Sequence, residues 1–167
     1  FRIKPPCSAF WGAWHHIINR VLIPTRKGGL LITNISEQLR FIFRPRSVAV
    51  IGASGVPFKW GNDIIRSMQM TGYQGTIYPI NPREKEILGL PVYRSVLDVP
   101  DPIDLAVVTI RAEQISQTMR ECIQKGIKGA VLITAGFAET GSQGQDLQEE
   151  VVRIAKQGGL RFVGPNC

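Results

Sequence analysis

Short apolar runs separated by amphipathic segments dominate the chain from about residue 47 onward. Val48-Ala49-Val50-Ile51 leads straight into the turn Gly52-Ala53-Ser54-Gly55, and comparable β-prone runs follow at Thr76–Ile80, 104–110, 129–133 and 160–163. Continuous apolar runs of this length suit strands buried on both faces. Between them the spacing turns helical. Ile64, Ile65 and Met68 share one face of a segment over 62–70 closed by Gly72. Ile115, Met119, Cys122 and Ile123 do so over 113–125, closed by Gly126, and Leu147, Val151, Ile154 and Ala155 over 144–157. The pattern also predicts a short helix over 36–41 with Ser36 as its N-cap, stopped by Pro45. A loop with a short extended piece is expected over 89–93 and a single helical turn over 95–99.

Strands alternating with helices predict an α/β fold, a Rossmann-like doubly wound, mainly parallel sheet. Ligands of such sheets bind outside the carboxyl ends of the strands. There the topology gathers Gly52–Gly55, Asn81 to Arg83, Ile110 with Arg111, and Thr134 to Gly136.

The turn after the first strand is the leading candidate for chemistry. Its glycines permit a sharp bend and bring bare N–H groups close to an anion, and the next helix adds the positive end of its dipole. Gly52-x-x-Gly55 is only part of the dinucleotide fingerprint, so a tight turn without a ligand is the plain alternative. Lys59 could reach a diphosphate as a point charge.

The end of the second strand carries Arg83 and Lys85 where an NAD enzyme keeps an acid. A cation there suits a ribose phosphate, as in NADP or coenzyme A. Surface cations pairing with Glu84 and Glu86 are the competing explanation. Thr134-Ala135-Gly136-Phe137-Ala138-Glu139 supplies small residues and backbone donors after the fourth strand; it leaves room for a nicotinamide or for a pantetheine arm. Glu139 fits an acid/base role or, more simply, a charge at a helix start.

Charge alters the picture little. Residues 1–40 hold Arg2, Lys4, Arg20, Arg26, Lys27 and Arg40 against Glu37 alone, so most of the net +7 sits there. The remainder is nearly balanced and lacks a basic stripe with interleaved aromatics, which argues against nucleic acid. Cys7, Cys122 and Cys167 are widely spaced, which indicates neither a disulfide framework nor a zinc site, and a reducing cytoplasm is the expected location. The apolar stretch near Ile17–Ile23 is broken by Asn19 and Arg20, too interrupted for a membrane span. His15 and His16 have no ligand-type neighbours. Residues 1–35 are expected to be a disordered or non-native leader, and the opening Phe1 and the ending on Cys167 read as those of a fragment.

Several stretches together carry a resemblance. They are 43–54 (FRPRSVAVIGAS), Tyr78-Pro79-Ile80-Asn81-Pro82, Gly89-Leu90-Pro91-Val92-Tyr93, 135–141 (AGFAETG) and Gly164-Pro165-Asn166-Cys167. In order and spacing, 39–167 resembles the CoA-binding domain of NDP-forming acyl-CoA synthetases, the ADP-forming acetate–CoA ligases related to the succinyl-CoA synthetase alpha subunit. The resemblance implies a CoA-binding domain over 36–167 in which Gly52, Ala53, Ser54 and Gly55 hold the CoA phosphates. It places Asn81 and Arg83 toward the CoA nucleotide, with Lys85 as substitute, and Ile110, Ile133, Thr134, Ala135 and Gly136 along the pantetheine path. It implies a parent enzyme interconverting acyl-CoA, ADP and phosphate with acid, CoA and ATP. ATP/ADP and Mg²⁺ belong to that parent, which has an ATP-grasp part and a phosphohistidine lying beyond Cys167. This chain departs from the family at Phe58, where Gly is common, and at Ile110-Arg111, where Pro is common. A regulatory CoA-binding module fused to an acetyltransferase and an NADP-dependent oxidoreductase are the alternatives.

Overall fold

The computed structural model describes residues 23–24, 30–31 and 35–166. Residues 1–40 and 41–167 form two compact units. In the first, Ile23–Pro24 pairs antiparallel with Leu30–Leu31. The expectations for the rest of the leader, and those for Cys7, His15, His16 and Cys167, lie outside the described residues.

Helix α1 spans Ile35–Phe43. It starts one residue before the expected cap, so Ser36 lies within its first turn. The second unit is built on a five-stranded parallel sheet. Its strands are β1 (Ser47–Ile51), β2 (Thr76–Ile80), β3 (Leu105–Val108), β4 (Gly129–Leu132) and β5 (Arg161–Val163). Their spatial order is β2-β1-β3-β4-β5. Three helices follow strands: α2 (Trp60–Met70), α3 (Ile115–Lys125) and α4 (Ser142–Gly158). The α/β, doubly wound reading is met.

Strand side chains alternate between two cores, as a pleated sheet covered on both sides requires. Ala49, Ile51, Tyr78, Ile80, Ala106, Val108, Ala130 and Leu132 meet Met119 and Cys122 of α3 and Val151 and Ile154 of α4. Val48, Val50, Leu105 and Val107 face Ile65 of α2, with Ile42 and Ile64 packed alongside.

The segment after β2 holds more structure than a loop. Glu86–Ile87 and Leu90–Pro91 form an antiparallel ribbon, and Tyr93 then makes an isolated parallel bridge to Ile80. Tyr93 N donates to Pro79 O at 3.0 Å, and Asn81 N donates to Tyr93 O at 2.9 Å. Counting that bridge as a one-residue strand outside β2, the sheet has the 3-2-1-4-5-6 order of a dinucleotide-binding domain. The turn over 95–99 is a 3₁₀ turn, Val96–Asp98, closed by a reciprocal capping box between Ser95 and Asp98. Among the described residues no helix is long and apolar enough to cross a membrane.

Candidate functional site

Gly52 ends β1 with φ +89°, a conformation that side chains resist. Its N–H and that of Ala53 both donate to Ile80 O, at 3.1 and 3.2 Å, so the turn is sewn to the end of β2. On the other side Thr109 closes in. Its Oγ1 donates to the carbonyls of Ile51 and Gly52 at 3.1 and 3.2 Å, and a Cβ on Gly52 would lie 2.7 Å from that oxygen. The turn is therefore walled by Thr109-Ile110 on one flank and by Asn81 on the other.

Helix α2 approaches from beneath. Gly61, in its first turn, leaves room for no side chain: a Cβ would stand 2.2 Å from Gly52 O and 2.8 Å from Ala53 Cα. This close approach of helix to strand is the task of the third glycine in a dinucleotide fingerprint. The expected helix start at residue 62 is thus corrected to Trp60, with Lys59 as the N-cap residue. Asn62, fully buried, donates from Nδ2 to Ser54 O at 2.8 Å, while its Oδ1 has no hydrogen-bond partner among the described residues. Ser54 is buried and its Oγ accepts from Val56 N at 3.1 Å, whereas residues 55–60 are exposed.

Asn81 organises the second loop. Its Nδ2 donates to Ala53 O at 2.7 Å, and its Oδ1 accepts from the N–H groups of Arg83 and Glu84 at 2.8 and 3.3 Å. That turn delivers Glu84 to the first loop: Gly55 N donates to both of its carboxylate oxygens, at 2.9 and 3.1 Å. Glu84 is thus not simply a surface partner for neighbouring cations. The side chains of Arg83, Lys85 and Lys59 stand in solvent around this mouth.

The third and fourth loops are joined to each other. Thr134 Oγ1 donates to Ile110 O at 2.6 Å, and Asn166 N donates to Thr134 O at 3.1 Å. Ile110 and Ile133 are half-buried and pack against opposite cores, with Ile110 Cγ2 3.0 Å from where a Gly52 Cβ would be. Ala135 is exposed, and Gly136 N donates to Glu139 Oε1 at 2.7 Å. That bond, with the N–H groups of Glu139 itself and Phe137, holds the Glu139 carboxyl below its usual range. Glu139 is the terminal charge of the 3₁₀ turn Ala138–Thr140, the simpler of its two expected roles.

The structure gathers Gly52–Gly55, Asn81, the backbone of Arg83, and Ile110 around the first turn, and joins Thr134 to Ile110. It places Lys59 at the start of α2, where its side chain makes no capping hydrogen bond among the described residues. The sequence does not single out Thr109, Gly61 or Asn62, and offers Glu84 only as a partner for neighbouring cations. Only Gly61 left a signal, a glycine in the first turn of a helix.

A doubly wound sheet with a glycine turn leading into a helix and cations after β2 is the architecture of the dinucleotide-binding class of domains. Comparison with known proteins narrows the class. Residues 46–167 match the family model described as CoA binding domain, and the chain belongs to that family. It is 46% identical over 129 residues to acetate–CoA ligase [ADP-forming] II of Archaeoglobus fulgidus, covering 77% of this chain and 19% of that protein. It is 45% identical over 131 residues to the alpha subunit of acetate–CoA ligase [ADP-forming] II of Pyrococcus furiosus, covering 78% of this chain and 28% of the subunit. The solved structure of dinucleotide forming acetyl-coenzyme A synthetase 1 of Ca. Korarchaeum cryptofilum, in complex with phosphate and ADP, superposes with a TM-score of 0.73 at 42% identity. That match covers 77% of this chain and 27% of that one. The chain thus spans less than a third of the length of these relatives.

Proposed function

We propose that residues 36–167 are the CoA-binding domain of an ADP-forming acyl-CoA synthetase, with residues 1–35 a leader outside it. Gly52, Ala53, Ser54 and Gly55 hold the CoA diphosphate and Lys59 adds a point charge beside them. Asn81 shapes the loop that carries Arg83 toward the 3′-phosphate. Ile110 and Ile133, Thr134, Ala135 and Gly136 border the pantetheine arm. Bound CoA supplies the thiol that carries the acyl group. The full synthetase would interconvert acyl-CoA, ADP and phosphate with acid, CoA and ATP. Its ATP-grasp part, phosphohistidine and Mg²⁺ would come from other regions or a partner subunit.

The observation that carries this reading is the Gly55 amide. It lies in the loop leading into α2 and already donates to an anion, the Glu84 carboxylate. The buried, unpartnered Oδ1 of Asn62 beside the same loop adds a polar group with unused capacity. Isothermal titration calorimetry of this chain with CoA, alongside NADPH fluorescence, tests the reading. Binding of CoA in the micromolar to sub-millimolar range with no NADPH response is the expected result. Absence of CoA binding at millimolar concentration, or tighter binding of NADPH, would overturn it.

A further inference from the structure

Glu84 sits on the Gly55 amide, the donor assigned above to the CoA diphosphate. Its two carboxylate oxygens share the Gly55 N–H, and Glu84 Oε2 lies 2.6 Å from where a Gly55 Cβ would be, directly over the backbone of the turn. The carboxylate is held there from both loops. Asn81 Oδ1 accepts the N–H of Glu84, and Asn81 Nδ2 lies 3.4 Å from Glu84 Oε1. A carboxylate and a diphosphate compete for one amide donor, because both are acceptors only and two anions so close repel.

We infer that Glu84 is a built-in competitor for the phosphate turn, an affinity- and charge-setting residue that CoA displaces on binding. The inference rests on the assignment of the Gly52–Gly55 turn to the CoA phosphates. Glu84 keeps the Gly55 donor satisfied when no ligand is bound, and lowers affinity by the free energy needed to lift the carboxylate away. It also discriminates among ligands. A weak or singly charged anion gains too little at the turn to remove Glu84, while CoA, whose diphosphate is accompanied by a 3′-phosphate facing Arg83, gains enough. A purely structural pin makes the opposite prediction, since removing it would loosen both loops and weaken CoA.

The test is CoA titration of the whole chain as wild type, Glu84→Gln and Glu84→Ala, with the Gly55 amide followed by ¹⁵N–¹H correlation spectra. Glu84→Gln keeps the shape and an acceptor oxygen while removing the charge, so it holds the loops together. The expected result is CoA binding tightened by about three- to tenfold in Glu84→Ala, with Glu84→Gln between it and wild type. The Gly55 resonance should shift on CoA addition in wild type. Equal affinities in all three proteins, or weaker binding in both variants, would overturn the competitor role while leaving the CoA site standing. Failure of all three to bind CoA would overturn the phosphate-turn assignment and this inference with it.

Discussion

Gly61 lies so close beneath Gly52 that a Cβ on Gly61 would stand 2.2 Å from the Gly52 carbonyl oxygen. The oxygen is a backbone atom and a Cβ is fixed rigidly by the backbone that carries it, so neither can swing aside. Gly61→Ala should therefore destabilise the domain by about 3 kcal/mol despite alanine's better helix propensity, and should lower CoA affinity by tilting the turn. Urea unfolding followed by circular dichroism checks the first effect. A change below about 0.5 kcal/mol would mean that α2 can move off the strand at little cost.

Asn81 joins the loops after β1 and β2 through one side chain that both donates and accepts. Asn81→Ala leaves the Ala53 carbonyl and two N–H groups without these partners. The expected loss is about 1–3 kcal/mol in stability, with hydrogen exchange at Arg83 and Glu84 accelerated. Asn81→Asp should be informative as well, because it keeps the acceptor but loses the donor toward Ala53.

Arg83 is tested by pairing the protein variant with a ligand variant. Arg83→Ala should weaken CoA by roughly three- to tenfold and leave dephospho-CoA unchanged, a coupling of about 0.7–1.4 kcal/mol. Equal effects on the two ligands would assign Arg83 to the diphosphate or to general steering. The same pair applied to Lys85→Ala decides which cation faces the 3′-phosphate.

Cys122 is buried in the core beneath α3, and burial, reinforced by neighbouring Glu121, pushes its thiol up to about 12. Burial likewise raises Tyr73 and Tyr78, helped by Asp104 and Asp101 respectively. These groups keep their protons in the folded state while the unfolded chain releases them. The Cys122 contribution is complete below the ordinary thiol value of 9.0 and is lost as pH climbs toward 12, and the two tyrosines add to the loss above their own ordinary value of 10.0. Melting temperature should therefore fall steadily above pH 9. Peptide mapping after thiol labelling at pH 8 should find Cys122 unmodified in native protein and modified in urea.

Much of the fold was legible because a doubly buried strand has a simple signature. Val48–Ile51, Thr76–Ile80 and the later apolar runs are strands within a few residues of their expected limits. The true start of the helix after the turn is hidden in the sequence, because Gly61 is a poor helix former and Trp60 is 66% exposed. Those two residues break the apolar period where α2 packs directly against the turn. The one-residue strand at Tyr93 has no period to detect. In the candidate site, the glycines and cations were visible as residue types at the ends of strands. Glu84 was not, because its meaning lies in a bond to an amide 29 residues away. Thr109 acts through a still longer-range bond to the Ile51 carbonyl, and Asn62 through a buried bond to the Ser54 carbonyl that no sequence period marks.

The bridge at Tyr93 also bears on how molecules of this protein meet one another. The rim of a sheet is where unsatisfied backbone groups recruit foreign strands, and proteins shield such rims with short or proline-bearing segments. Outside β2, Tyr93 uses both its N–H and its carbonyl on residues 79 and 81, and Pro91 lies two residues before it. That flank offers no continuous row on which a neighbour could template. A foreign strand arriving at the Tyr93 side therefore meets one bridged residue rather than an open strand.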